Sequence, residues 1–416
     1  MKNLFNRLFT IISASAVLAG FAAQPAFAHG EKAQEPFLRM RTVQWIDVAV
    51  TKTNLAVNDE TVITGKVHFM TNEHWPHSAA KPELAFLNVS AAGPVMVRKA
   101  SFVNGVNMVN SAKFDLGADY AFEIRLKASW PGKWHVHPMI NVKDAGPLVG
   151  PGTWVEVTGS HADFKDEMKT LTGETVNLET YGTENNVKWH VIWGLIAVAW
   201  LLWWLAKPLF HSRYAKVKAE LGDTLITGGD RMVSAVVLVV ALGLTYYGYS
   251  AAEARYPVTL PLQSATATIP HSPSLVEGVK LVLDRATYRV PGRAMEMDVS
   301  ITNTSSKPFR VGEFNTAGVR FLNPEVGVMD ELTKQYPSYL LAEKGLTVSD
   351  NTPIQPGETR KLHLVAQDAA WEVERLSSLI YDPDSRFGGV LYMYDTDGKR
   401  LITEVGGTLV PTFAGT

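Results

Sequence analysis

Short runs in which apolar and polar residues alternate fill the chain from Phe37 to about Thr158. "TVQWIDVAV", "TVITGKVHF", "ELAFLNVSA", "YAFEIRLKA", "WHVHPMINV" and "TWVEVTG" are separated by Gly, Pro, Asn and Asp. Successive side chains on a strand point to opposite faces, so this pattern predicts half-buried strands of an antiparallel β-sandwich. Polar positions then vanish twice. Trp189 to Ala206 and Met232 to Ala252 contain no Asp, Glu, Lys or Arg. At about 1.5 Å per residue each can cross a hydrocarbon core of about 30 Å, and tryptophans and tyrosines gather towards the ends as interface anchors do. Both are read as membrane spans rather than as buried helices of a soluble core.

After Arg255 the alternation resumes in "VKLVLDRATYRV", "AMEMDVSITNT", "GVRFLNPEV", "RKLHLVAQD" and "GGVLYMYDTDGKRLITEV". Pro291-Gly292, Pro356-Gly357 and Asp397-Gly398 mark turns, predicting a second β-sandwich, with "AWEVERLSSLIYD" as one helix inside it. The expected architecture is mainly β: two antiparallel sandwiches joined by a two-helix transmembrane hairpin.

Charge orients this arrangement. Lys2 and Arg7 precede an apolar run from Leu8 to Ala23 and the small-residue pattern Ala26-Phe27-Ala28, the form of an export signal cleaved after Ala28. Lys207, Arg213, Lys216, Lys218 and Arg231 give the segment between the spans a basic excess, which assigns it to the cytoplasm. The expected organisation is a signal at 1–28, an exported domain at 29–186, helices at 187–207 and 232–252 around a cytoplasmic loop at 208–231, and a second exported domain at 253–416.

A net charge of −2 carries no bias towards nucleic acid. The absence of cysteine excludes disulfides, thiolate catalysis, iron–sulfur ligation and a blue-copper thiolate. P-loop, dinucleotide, GxSxG and HExxH motifs are missing too, and no paired-carboxylate site is evident.

What remains is histidine. His135 and His137 stand two apart on a predicted strand and so project from the same face. Either they are hydrogen-bonded imidazoles on a polar face or they are two of a metal's ligands. Cleavage after Ala28 would leave His29 as the amino terminus, offering an α-amine and an imidazole. Up to four neutral nitrogens without thiolate suit copper first and zinc next. His74 and His77 read as a solvated loop, and His161, His190, His211, His271 and His363 have no constellation around them.

"AHGEKAQEPFLRMRTVQW" (Ala28 to Trp45), "WHVHPMINVKDAGPLVGPG" (Trp134 to Gly152), "LTGETVNLE", "YPVTLPLQS", "YRVPGRAM", "VGEFNTAGVRFLN", "QPGETR" and "YDPDSRFGG" together resemble the B subunit of particulate methane and ammonia monooxygenases, over essentially the whole mature chain. The resemblance implies a copper-dependent membrane monooxygenase that uses dioxygen, built with A and C membrane subunits as a trimer of heterotrimers. It implies that both sandwiches are cupredoxin-like and that His29, His135 and His137 are the copper ligands. Some members have a further copper site, with a histidine at the position of Gln44 beside one at His68; with glutamine here, no strong second site is expected. "TVQWIDV" leans to ammonia oxidisers, "LETYG" and much of the carboxy-terminal domain to methane or other alkane oxidisers, and the balance falls slightly towards ammonia. Chemistry at this copper, or a structural or copper-supplying role with catalysis in a partner subunit, are both compatible with the resemblance.

Overall fold

The alternating runs become strands in the computed structural model, which describes residues 36–170, 173–207, 210–257, 266–290, 292–326, 336–382 and 384–413. The proposed signal and His29 lie outside the described residues. The first sandwich comprises β1 (Val43–Val50), β2 (Asn54–Ala56), β3 (Glu60–Phe69), β4 (Ala85–Ser90), β5 (Met96–Val103), β6 (Val106–Asn107), β7 (Asp119–Ala128), β8 (Gly132–Val142), β9 (Gly146–Val149) and β10 (Thr153–Thr158). One sheet runs β1-β3-β7-β5-β6; the other runs β2-β10-β8-β4, with β9 also paired to β8. Ile63, Phe69, Leu87, Ile124, Leu126 and Ile140 are buried in the core of this sandwich. The β1–β3 ladder shifts register between Ile46 and Ala49, and Asp47 adopts φ 55° there. That bulge turns its carboxylate to Arg400, whose Nη1 donates to Oδ1 at 2.7 Å.

After β11 (Glu167–Lys169) and β12 (Thr175–Asn177) come the hairpin helices and then a second set of strands. These are β13 (Val279–Arg289), β14 (Ala294–Asn303), β15 (Phe309–Thr316), β16 (Val319–Leu322), β17 (Leu341–Ala342), β18 (Leu346–Val348), β19 (Thr359–Gln367), β20 (Arg386–Asp395) and β21 (Arg400–Thr412). They run in the order β17-β16-β15-β20-β21-β13-β14-β19-β18. The last strand makes this possible by serving two partners. Arg400 to Thr408 pairs antiparallel with β20, and Leu409 to Thr412 pairs parallel with β13. Gly406 and Gly407 lie just before the change of partner; a Cβ at Gly407 would stand 2.6 Å from Leu283. Strands that change sheet form the corners of packed β structures.

The expected single helix in "AWEVERLSSLIYD" is broken. Ala370–Val373 forms one α-turn and Leu376–Tyr381 a 3-10 segment, with Arg375 at φ 56° between them. Trp371, Leu376, Leu379 and Ile380 are all buried, and Trp371 Nε1 donates to the Ala366 carbonyl at 2.9 Å. A straight helix does not present those side chains to the core together, so packing overrides the helical pattern.

The two sandwiches form one compact unit, up to Phe164 and from Gln263 onward, and Lys165–Leu262 forms another. Between the sandwiches Ile46 packs with Val390, Tyr392, Tyr394 and Ile402, and Arg41 pairs with Asp382 at 3.5 Å. In the second unit, the helices Thr183–Leu205 and Gly228–Arg255 are long and apolar enough to cross a membrane. Asp230 ties them together at one end: its carboxylate accepts from Thr227 N at 2.8 Å, closing a capping box, and from Trp203 Nε1 at 2.9 Å, with Lys207 Nζ at 3.0 Å. At the other end the Tyr181 hydroxyl donates to that of Tyr256 at 2.9 Å.

Candidate metal centre

β8 carries His135 and His137 on one face, as the spacing requires, while Val136 between them enters the core. His137 Nδ1 donates to the Gly150 carbonyl at 2.8 Å. A carbonyl can only accept, so this bond puts the ring proton on Nδ1 and the lone pair on Nε2. That Nε2 faces His135 Nδ1 at 3.1 Å, with the rings nearly perpendicular at 79°. Two nitrogens each about 2.0 Å from one ion stand about 2.8 to 3.3 Å apart in neighbouring coordination positions, so the pair has the span of a chelate.

The surroundings hold both rings in place. His135 stacks on Trp154, its cross-strand neighbour on β10, with centroids 4.7 Å apart. Its Nε2 lies 2.6 Å from the hydroxyl of Tyr339, which comes from the second sandwich and also lies 3.3 Å from the Gly152 carbonyl. His137 is buried against the turn Gly150-Pro151-Gly152, where a Cβ on Gly152 would run into the imidazole. Gly152 is therefore needed for the approach of the imidazole, while a Cβ on Gly150 would stand 2.8 Å from Pro138 and Trp45. Among the described residues no group of three or more His, Asp or Glu is arranged to hold a metal ion. The pair contributes two donors, and His29, which would complete the expected set, lies outside those residues.

A second histidine cluster is buried between the sandwiches. His68, 1% exposed on β3, has Asp119 Oδ1 at 2.9 Å from Nδ1 and Glu404 Oε2 at 2.9 Å from Nε2. A ring with a carboxylate at each nitrogen donates from both and is an imidazolium. Burial opposes that charge, but the hydrogen bonds His68 donates to Asp119 and Glu404 outweigh it and raise the His68 pKa to about 9. Burial pushes Glu404 up, but His68 and His74 more than compensate and bring it down to about 2. Thr71 Oγ1 donates to Glu404 Oε1 at 2.7 Å, and His74 Nδ1 bonds the same oxygen. The expectation that His74 belongs to a solvated loop is thus corrected: β21 brings a carboxylate to it, while His77 is exposed. Gln44 stands opposite His68 in the β1–β3 register; its Nε2 donates to Gly388 O at 3.3 Å, and its buried Oε1 has no partner among the described residues.

The family of monooxygenase B-subunit proteins matches residues 30–413. The chain belongs to that family. It is also 44% identical over 404 residues to the "Particulate methane monooxygenase alpha subunit" of Methylococcus capsulatus (Bath), covering 97% of this chain and 96% of that protein. Among solved structures, the cupredoxin domain of amoB from Nitrosocaldus yellowstonii aligns with 18% identity and a TM-score of 0.23, over 30% of this chain and 91% of that one. A likeness that loose carries no argument.

Four other histidines of this monooxygenase component have local partners. His161 stacks on Trp130 at 3.8 Å, His271 meets Asp115 at 2.7 Å, His363 meets Asp298 at 2.8 Å, and His190 Nδ1 donates to the Asn186 carbonyl at 2.8 Å. The residues sequence reasoning missed are Tyr339, Asp119 and Glu404. Each reaches its histidine from far along the chain, 204, 51 and 336 residues away, where no spacing rule operates.

Proposed function

We propose that this chain binds copper through His135 Nδ1 and His137 Nε2, together with the amine and imidazole of His29 freed by cleavage after Ala28. The observation that carries the reading is the pair of ring nitrogens held 3.1 Å apart, one of them with its lone pair directed inward by the Gly150 carbonyl. An all-nitrogen set without thiolate suits copper, which would supply the redox chemistry for dioxygen. What the chain itself contributes is orientation: strand spacing, the Gly150–Gly152 turn and the Trp154 ring hold the two imidazoles in fixed positions. The complex hydroxylates methane or a related small alkane, a reading supported by the relative named as a particulate methane monooxygenase, with ammonia as the competing substrate. Its partners are the A and C membrane subunits, as a trimer of heterotrimers. Both sandwiches lie on the periplasmic side, and the basic segment between the helices lies in the cytoplasm, supported by Lys207, Arg213, Lys216, Lys218 and Arg231.

The test uses the assembled complex in membranes, as wild type, as His137→Ala, and with one residue added before His29. Copper content and spectra are measured with oxidation of methane, ethane and ammonia. Loss of one nitrogen-ligated copper and of turnover in both variants is expected. Copper lost with turnover retained would place catalysis in a partner subunit, and unchanged copper in His137→Ala would end the site assignment.

A further inference from the structure

The copper reading leaves unexplained why a tyrosine from the other sandwich should touch His135. We propose that Tyr339 is a positioning residue that serves both tautomers of His135 and so allows Nδ1 to change from hydrogen-bond donor to metal ligand without losing the partner at Nε2. The inference rests on the copper reading above.

The hydrogen bonds have a direction. The Gly150 carbonyl fixes the proton of His137 on Nδ1, leaving Nε2 an acceptor. Without metal, the 3.1 Å contact is satisfied when His135 carries its proton on Nδ1 and donates it to His137 Nε2. His135 Nε2 is then an acceptor, and the Tyr339 hydroxyl, 2.6 Å away, donates to it. A one-way chain results, from Tyr339 through His135 and His137 to Gly150.

Metal binding at the pair requires the lone pair of His135 Nδ1. The proton leaves Nδ1, one is taken up from solvent at Nε2, and the ring stays neutral. Nε2–H must now donate, so the Tyr339 oxygen must accept and its own hydrogen must go elsewhere. The Gly152 carbonyl, 3.3 Å from the hydroxyl, is that destination. Only a group that both donates and accepts can serve the two states, and a hydroxyl does so by rotating about one bond. Metal-bound histidines generally need such a partner on the second ring nitrogen to fix tautomer and orientation. Because Tyr339 belongs to the 3-10 turn Ser338–Leu340 of the second sandwich, ligation on the first depends on how the two are joined.

The experiment compares wild type, Tyr339→Phe, Tyr339→Gln and His137→Ala in the assembled complex. Copper retention is measured by chelator competition, and the copper(II) signal by electron spin echo modulation, which reads the uncoordinated nitrogen of each bound imidazole. Tyr339→Phe keeps the ring and removes the hydroxyl. It should weaken retention of the His137-dependent copper by about tenfold and change the quadrupole coupling of one remote nitrogen, leaving those of the other bound imidazoles as in wild type. Tyr339→Gln, whose amide both accepts and donates, should recover most of the loss. Unchanged affinity and coupling in Tyr339→Phe would overturn the inference, as would equal losses in Phe and Gln, which would indicate ring packing alone. If His137→Ala loses no copper, the copper reading itself fails, an outcome distinct from failure of Tyr339 alone.

Discussion

At the scale of single residues, His68 and Glu404 give the joint between the sandwiches a defined response to acidity. His68 has a folded pKa of about 9 against 6.5 for the free group, so it contributes stability fully below pH 6.5, lost as pH rises through 9. Glu404 is held at about 2 against 4.5, so its contribution is present above pH 4.5 and is lost as pH falls through 2. Both act together between pH 4.5 and 6.5. Glu404→Leu leaves a buried imidazolium with one carboxylate fewer and should cost about 3 kcal/mol at pH 6. Its unfolding temperature should also fall less than that of wild type when pH is raised from 6 to 10. Thermal unfolding of the solubilised protein at several pH values measures both effects; a parallel pH dependence in the two proteins would refute this account.

At the scale of elements, the strands found by alternation are those with one wet face, such as β7, where burial alternates through "FEIRLK". Others escape the pattern for stated reasons. β2, β6, β17 and β18 span only two or three residues, too few to show a period. β15 is buried on nearly every residue, so its apolar and polar residues need not alternate, whereas the equally buried β20 was found from its apolar run "GGVLYMY". The His135/His137 pair was legible because a strand converts i, i+2 spacing directly into geometry; its support by Gly150, Gly152 and Tyr339 arises only on folding. The hairpin shows the same division. Its apolar lengths are plain in the sequence, but Asp230 looks like an ordinary helix-start residue until Trp203 and Lys207 are seen on its carboxylate. Asp230→Ala removes the carboxylate half of the capping box and both of these links, while Thr227 Oγ1 still accepts from the backbone at 230. A loss of about 1 kcal/mol is expected from that half of the box alone. It should appear as a lower unfolding temperature and a changed Trp203 emission, and an unaltered melting curve would show that the link contributes nothing.

For the molecule as a whole, the chain combines a β unit that holds the candidate copper ligands with a helical unit whose apolar residues are exposed on nearly every side. Val191, Leu195, Leu202, Val239, Leu242 and Tyr246 are each more than half exposed, a surface suited to lipid or to the helices of other membrane subunits. If both sandwiches are exported, as proposed, trypsin added to sealed inverted vesicles should cut after Arg213, Lys216 or Lys218. The same treatment of spheroplasts should spare that segment. Cleavage in spheroplasts alone would reverse the proposed orientation.

The double pairing of β21 also sets an order of events during synthesis. This strand is made after every other described strand, yet it completes two strand ladders and delivers Glu404 to His68 and His74 on the first sandwich. Until then the first sandwich waits with the imidazole of His68 facing an unfilled gap. Contacts between residues this far apart in sequence are slow to form. A nascent chain stalled before residue 400 therefore presents an open seam to chaperones and proteases, and that seam closes only once β21 has been made.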